Sequence, residues 1–506
     1  MIVGGQSETA LERAVQRCRD LGVVIPTIAQ QIDPRTVPEK VARRLPALGP
    51  QEIDPLNLFR ITWKNDAASG SYGSVDSFEI PRGITGIDAR VIGLVGAHFP
   101  TGSHKVGASF GCLVPRLVSG GFDPTTKKAV WPSTGNYCRG GAFDSALLGC
   151  PAIAILPREM SGERFAWLEQ IGAEVIATPG SESNVKEIYD KCWEIRATRP
   201  DCVIFNQFEE FGNAVWHYHV TGRAVAEAFA TATSDQDRQA AGSTSVGRAS
   251  VAPSEARLAA YVAATGSAGT IAAGDYLRSV FPRMTVAAAE ALQCPTLLRC
   301  GFGAHRIEGI GDKHVPWIHN VRNTDVVIAV DDEAVLRLLR VFNEPAGLEV
   351  LAEQGVAEAT LARLPLLGIS GIANLVAAVK LARYFELDAD DVVMTVFTDS
   401  VELYGSRLLE LNAECGPYTR VQAIVDLERH LRGAAMDNMR ELDYYQRKAL
   451  HNLKYYTWVE QQGKTVGELD QLWSTSFWDE TFSQVGELDR LIDAFNERTG
   501  VLVAMD

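Results

Sequence analysis

One pattern governs what this chain can fold into. From about residue 91 to 415, short runs of β-branched and other apolar residues alternate with helix-length amphipathic stretches. The runs read ARVIGLVG, KKAVWP, PAIAILP, AEVIATP, DCVIFN, RLAAYVAATG, MTVAAAE, DVVIAV and DVVMTVF. Strand alternating with helix gives βαβ units, and so an α/β chain whose parallel sheets are covered by helices on both faces. Near-continuous apolar runs, rather than polar–apolar alternation, suit strands buried on both sides.

The flanks read differently. Residues 1 to about 90 form an N-terminal extension, with a short amphipathic helix around ALERAVQRCRDLG and then a connector too rich in proline for long regular elements. Residues 416–506 turn helical and charged, as in NMRELDYYQRKALHNLKYYTWVEQQG, and read as an added helical segment. Residues 231–255 are rich in Ser, Ala, Thr and Gly with few large apolar side chains, and read as a mobile insertion.

Composition narrows the function classes. A chain of 506 residues, 46% apolar and 22% charged, buries a core large enough for two or more subdomains. Its net charge of −15 repels nucleic acid and anionic membrane surfaces, so neither is expected as a partner. No apolar run approaches the roughly 18 residues of a membrane span, and no basic-then-apolar leader opens the sequence, so a cytoplasmic location is expected. The nine cysteines include no CxxC pair and suggest buried reduced thiols. His217 and His219 form the one tight histidine pair, but their i, i+2 spacing on a helix turns the rings to different faces, so no metal site is expected.

Four glycine-rich turns carry the chemistry: PTGSHKVGASFG, WPSTGNYCRGGAF, ATGSAGTIAAGDYL and LGISGIANLVAAVK. In the first, Lys105 sits among small residues beside His104, an unusual setting for a lysine. In the third, Gly266, Ser267, Ala268 and Gly269 allow close backbone approach, Thr270 adds a hydroxyl, and the helix that follows points its N-terminal N–H groups back at the loop. That is a phosphate cradle, though neither a Walker A loop nor a dinucleotide fingerprint. A lysine amine attacks only when neutral, and together these turns suit a cofactor with an aldehyde, an aromatic ring and a phosphate, namely pyridoxal 5′-phosphate.

Over roughly residues 75–410 the chain resembles the fold type II pyridoxal-phosphate enzymes, the cysteine synthase, serine/threonine dehydratase and tryptophan synthase β group. The resemblance implies two doubly wound parallel-sheet subdomains in a core at 91–415, the smaller at about 125–225. TGSHK resembles the Schiff-base motif and makes Lys105 the catalytic lysine; His104 either touches the cofactor phosphate or is a core histidine. STGN resembles the family's asparagine loop, placing Asn136 on the ring hydroxyl and Ser133, Thr134 and Gly135 around the substrate carboxylate. TGSAGT resembles the phosphate loop, and GISG the turn that makes Ser370 the partner of the pyridine nitrogen. NQFEEFGNAVWHYHVTG and FTDSVELYGSR resemble two further family stretches. Asn136 follows Lys105 by 31 residues and Ser370 follows Gly266 by 104, close to the family's spacing.

The asparagine loop departs from the family, since Tyr137, Cys138 and Arg139 follow Asn136 where Thr-Gly is usual. Tyr137 either stacks near the ring or packs structurally. Arg139 either pairs with an anionic group on the substrate or is structural. Cys138 reads as a small filler. The resemblance implies β-elimination or β-replacement on a small amino acid such as serine, O-activated serine or a cysteine-like substrate, through an aminoacrylate intermediate, in a homodimer. A serine/threonine dehydratase or threonine synthase-like lyase is the alternative enzyme. A catalytically idle cofactor-binding partner subunit is the alternative of another class, and a nucleotide-binding protein a third.

Overall fold

The nine apolar runs all become strands. A computed structural model of the chain describes residues 7–133, 135–160, 162–180, 185–234, 256–311 and 313–505. In chain order its strands are β1 (Asn65–Asp66), β2 (Ser71–Tyr72), β3 (Ser77–Ile80), β4 (Arg90–Val95), β5 (Lys128–Pro132), β6 (Ala152–Pro157), β7 (Glu174–Thr178), β8 (Cys202–Ile204), β9 (Arg257–Ala264), β10 (Thr285–Ala291), β11 (Val326–Val330), β12 (Asp391–Phe397) and β13 (Met439–Glu441). β1 and β2 form a small antiparallel hairpin.

The larger sheet runs β13-β11-β10-β9-β12-β4-β3 and the smaller β7-β6-β5-β8. The smaller sheet is wholly parallel. In the larger sheet the five inner strands are parallel, as the βαβ pattern requires, and an antiparallel strand is added at each edge, β3 on β4 and β13 on β11. β3 and β13 are too short and too polar to stand out as apolar runs: a sheet edge needs fewer buried faces than its centre.

Both faces of the larger sheet are covered. Val393, Val262, Ala287 and Ile328 pack on one side beneath the helices Asp332–Asn343 and Ile369–Tyr384. Their neighbours Val392, Met394, Tyr261, Val286 and Val327 pack on the other, against the helices Gly222–Thr233 and Ala272–Val280. The period of two along each strand sends successive side chains into two separate cores.

The flanks join the fold through contacts that no local pattern announces. Helix Glu8–Asp20 forms as expected, and three prolines of the connector, Pro34, Pro46 and Pro55, open 3₁₀ turns where a missing N–H costs least. The segment 416–506 is not wholly helical, since it supplies β13. Trp458, in a stretch whose charge pattern suggests surface, is fully buried, and of its aromatic neighbours in the chain Tyr455 and Tyr456 are exposed. Of the insertion at 231–255, residues 231–233 complete the helix Gly222–Thr233 and 235–255 lie outside the described residues. All nine cysteines are free thiols, with Cys300 and Cys415 exposed rather than buried.

Candidate active site

In a parallel sheet the carboxyl ends of the strands all open on the same side, and that is where ligands bind. β4 leads to the Lys105 turn, β5 to the asparagine loop, β9 to the glycine loop at 266–270, and β12 to Thr398 and Asp399. One cleft is lined by Lys105, Ser133, Asn136, Tyr137, Gly266 and Ser267. The fold thus brings together side chains 162 positions apart.

The Lys105 turn is strained. Thr101, buried and β-branched, has φ 69°, a conformation that such residues rarely adopt outside functional sites. The turn delivers Lys105 as the first residue of helix Lys105–Val118, where its Nζ donates to Ser267 Oγ at 3.2 Å. His104 is fully buried. Its Nδ1 lies 3.3 Å from the Thr398 carbonyl, so that nitrogen carries the proton, and Nε2 at 3.1 Å accepts from the Thr270 hydroxyl. Burial, with the charge of Lys105, holds the imidazole down at about 3, against the bond to Thr398; it stays neutral. Trp63 of the N-terminal extension stacks on it at 5.5 Å.

The glycine loop is fixed from beneath. Ala268 takes φ 62°. Ser267 Oγ accepts from Asn213 Nδ2 at 3.0 Å as well as from Lys105. At Gly269 a Cβ would lie 1.9 Å from Asn213 Oδ1, so only glycine fits there. Helix Ala272–Val280 follows, with its N-terminus toward the loop. The fourth turn follows a 3₁₀ turn, Leu364–Leu366, rather than a strand, and makes Ser370 the second residue of helix Ile369–Tyr384, buried but not among the residues lining the cleft.

Asn136 opens helix Asn136–Leu147, and its Nδ2 donates to Asp399 Oδ2 at 2.6 Å while its Oδ1 is buried without a partner among the described residues. Ser133 Oγ accepts from the Gly135 N–H at 3.1 Å and from Gln207 Nε2 at 3.2 Å. Thr134 lies outside the described residues. A Cβ at Gly135 would lie 1.9 Å from Arg164 Nη1, so the loop rests directly on that buried guanidinium.

The three departures from the family pattern separate. Tyr137 lines the cleft, with its ring edge-on to Trp131 at 5.5 Å and its hydroxyl buried. Cys138 donates to the Gly135 carbonyl at 2.9 Å, and burial pushes its thiol up to about 12, which leaves it inert. Arg139 does not line the cleft: it lies 4.5 Å over the Trp167 ring, its Nε and Nη1 buried without hydrogen bonds among the described residues. Burial, then the charge of Arg164, lowers it to about 10.

Several cleft residues carry no signal in the four glycine-rich turns. Gln207, Phe208, Gly309, Ile310 and Thr398 line the cleft, and Asp399 backs it. Gln207, Thr398 and Asp399 fall within the two further family-like stretches, NQFEEFGNAVWHYHVTG and FTDSVELYGSR, to which the motifs alone assign no role. Gly309 and Ile310 belong to a loop after β10, within the run GFGAHRIEGIG, whose glycines carry a signal that lies outside the four turns.

A family model described as pyridoxal-phosphate dependent enzyme matches residues 96–399. The chain is 29% identical over 306 residues to a probable cysteine synthase of Bacillus subtilis, covering 60% of this chain and 85% of that one. It is 28% identical over 306 residues to cysteine synthase B of Campylobacter jejuni, covering 60% and 86%. Its fold is similar to the crystal structure of an O-acetylserine dependent cystathionine beta-synthase from Helicobacter pylori, with a TM-score of 0.52 and 22% identity over 65% of this chain and 94% of that one.

Proposed function

Because the chain belongs to the pyridoxal-phosphate dependent enzyme family, we propose that it catalyses β-elimination or β-replacement on serine or an O-activated serine, in the manner of the cysteine synthases it is similar to. The observation that carries this reading is one cleft at the strand ends holding a buried lysine amine against a glycine loop, with the Asn136 amide on its wall.

The residues present fit the cofactor. The glycine loop lines the cleft at Gly266 and Ser267 with little side chain to block close approach, and the Asn136 amide, also on the cleft wall, has hydrogen-bonding capacity left over. In this reading Lys105 holds the aldehyde carbon, the loop Gly266, Ser267, Ala268, Gly269 and Thr270 holds the phosphate, Asn136 the ring oxygen and Ser370 the ring nitrogen. His104 supports the phosphate loop through Thr270. Bound there, pyridoxal phosphate supplies an electron sink for charge that develops at a substrate α-carbon.

The rest is this chain's own work. Ser133, Gly135 and Gln207 present polar groups at the cleft edge for a substrate carboxylate, with Tyr137 beside them; Thr134 completes the set in this reading. Lys105 Nζ removes the α-proton as general base and returns it to the departing group or product. Phe208 and Ile310 close an apolar side that limits water. Arg139, turned toward Trp167, has a structural role rather than a substrate contact. No single helix among the described residues is long and apolar enough to cross a membrane; a cytoplasmic homodimer accompanies this reading, and sedimentation of the purified chain checks the dimer.

The test is the visible spectrum of protein supplied with pyridoxal 5′-phosphate, before and after adding L-serine, O-acetyl-L-serine, O-phospho-L-serine, L-threonine or L-cysteine. Wild type is expected to show a bound-cofactor band that one donor shifts, and Lys105→Ala to lose that band. A wild type with no band overturns the reading; a response to L-threonine alone moves it to a dehydratase or threonine synthase-like lyase.

A further inference from the structure

A string of buried polar side chains leads away from Asn136 through the seam between the two sheets. Asn136 Nδ2 donates to Asp399 Oδ2 at 2.6 Å, and the Tyr404 hydroxyl approaches the same oxygen at 2.7 Å. Arg164 Nη2 lies 3.2 Å from the Tyr404 hydroxyl, and Arg164 Nη1 pairs with Glu308 Oε2 at 3.0 Å. Glu308 Oε1 in turn accepts from Arg407 Nε at 2.6 Å. Asp399, Tyr404 and Arg164 are completely buried. Asn136 and Arg164 come from elements of the smaller sheet, and the other four from the larger.

The directions of these bonds follow from one fact: a guanidinium only donates. Arg164 donates to the Tyr404 oxygen, so the tyrosine proton goes to Asp399 Oδ2. That oxygen is therefore an acceptor, and the asparagine amide must face it with nitrogen rather than oxygen. One Nδ2 hydrogen is used on Asp399, and the second remains for whatever lies in the cleft. Turning the amide over would set Oδ1 against an oxygen that already accepts, two lone pairs facing in a dry seam, which costs more than in water. Asp399 also carries no other hydrogen-bonded load on its side chain: its Oδ1 has no partner among the described residues.

We propose that Asp399 is a positioning residue, which locks the Asn136 amide so that its second Nδ2 hydrogen is presented to the ring oxygen of the cofactor. The inference rests on the cofactor assignment. None of the four glycine-rich motifs contains Asp399, and its partner lies 263 positions away in the chain. Tyr404 and Arg164 serve the same end one and two bonds further out.

The experiment compares wild type, Asp399→Asn and Tyr404→Phe, each loaded with pyridoxal 5′-phosphate. D399N keeps size and shape but replaces a carboxylate that accepts on both oxygens with an amide that has one acceptor oxygen and can also turn its N–H to the same place, so the Asn136 amide is held less firmly. The expected result is a variant that melts as wild type does and still binds the cofactor, but with its visible band displaced, because the hydrogen bond at the ring oxygen sets the electronic state of the ring. Its kcat falls about 10- to 100-fold, as misplacement of a reacting geometry does, with KM within about threefold. Y404F, which keeps the carboxylate and removes only its second donor, shifts the band the same way and less. A D399N band and kcat indistinguishable from wild type overturn the inference; should D399N fail to fold, an unchanged Y404F overturns it. A wild type that takes up no cofactor overturns the assignment beneath it, and this inference with it, so the two failures are told apart by the wild-type spectrum.

Discussion

Single atoms decide two matters in this protein. Asn213 is held by bonds from its Nδ2 to the Gln207 carbonyl at 3.1 Å and to Ser267 Oγ at 3.0 Å, so it cannot withdraw from a methyl group placed at Gly269. Gly269→Ala is expected to weaken cofactor binding by tenfold or more, roughly 1.4 kcal/mol, read by equilibrium dialysis. Asp144 is the second case. It is fully buried in helix Asn136–Leu147, with Ser109 Oγ of the lysine helix donating to its Oδ2 at 2.6 Å and no partner on Oδ1 among the described residues. Burial, only partly offset by Ser109, raises its carboxyl well above the ordinary range. The folded protein therefore keeps this proton where the unfolded chain has released it, and stability falls as pH rises above the unfolded value near 4. Asp144→Asn, neutral at every pH, is expected to melt higher than wild type at pH 7, by about 1–3 kcal/mol, with the gain vanishing toward pH 4. A melting series across that range checks it.

At the scale of elements, the additions on either side of the core are parts of the site's support. The N-terminal extension supplies Trp63, whose ring stacks on His104 and whose Nε1 donates to Thr221 Oγ1 at 3.0 Å. Thr221 Oγ1 also lies 2.9 Å from His217 Nδ1, and the His217 ring meets His104 edge-on at 5.1 Å. His104 is thus boxed by rings from two elements. Trp63→Ala is expected to raise the cofactor dissociation constant about 2- to 10-fold by loosening His104 and, through it, Thr270; Trp63→Phe, which keeps a ring, is expected to do so less. From the other end, Trp458 is fully buried and donates from Nε1 to the Val315 carbonyl at 2.9 Å. It packs on His314, which packs on Phe208 of the cleft wall at 4.9 Å. Lys454, buried beside it, donates to the carbonyls of Trp317 and His319, and burial holds its amine well below the ordinary lysine range.

The whole molecule is held together by its ends. Helix Glu8–Asp20 packs on helix Val485–Thr499, Arg19 donates to the Thr499 carbonyl at 3.0 Å, and Asn496 Nδ2 donates to the Ile25 carbonyl at 2.8 Å. Asp489 accepts from the N–H groups of Ile28 and Ala29. Val24, Val41, Leu45 and Phe59 form one small core with Val501. β13 covers an edge of the larger sheet that would otherwise present β11 unpaired. A chain cut to residues 91–415 exposes all of these faces at once. It is expected to be recovered aggregated or without a cooperative melting transition.

The α/β class, the nine strands of the apolar runs and three glycine-rich turns that the fold brings to one cleft were legible along the chain. Each of these is written locally: burial on both faces demands an apolar run, and close backbone approach demands small residues at fixed offsets. Helix starts in the C-terminal addition follow the same rule, since Asp443 with Gln446 and Thr465 with Glu468 form capping boxes. What depends on distant chain came only with the fold. β3 and β13 are strands because a sheet edge was waiting for them. Arg139 turned from the cleft to the face of Trp167, where a ring 28 positions on offered a cation a partner. Trp458 reads as surface because its helix is charged, and is core because the loop at 313–319 folds over it. Asp399 meets Asn136 across 263 residues, a contact that no local pattern encodes, because hydrogen bonds in a buried seam are set by which strands lie side by side.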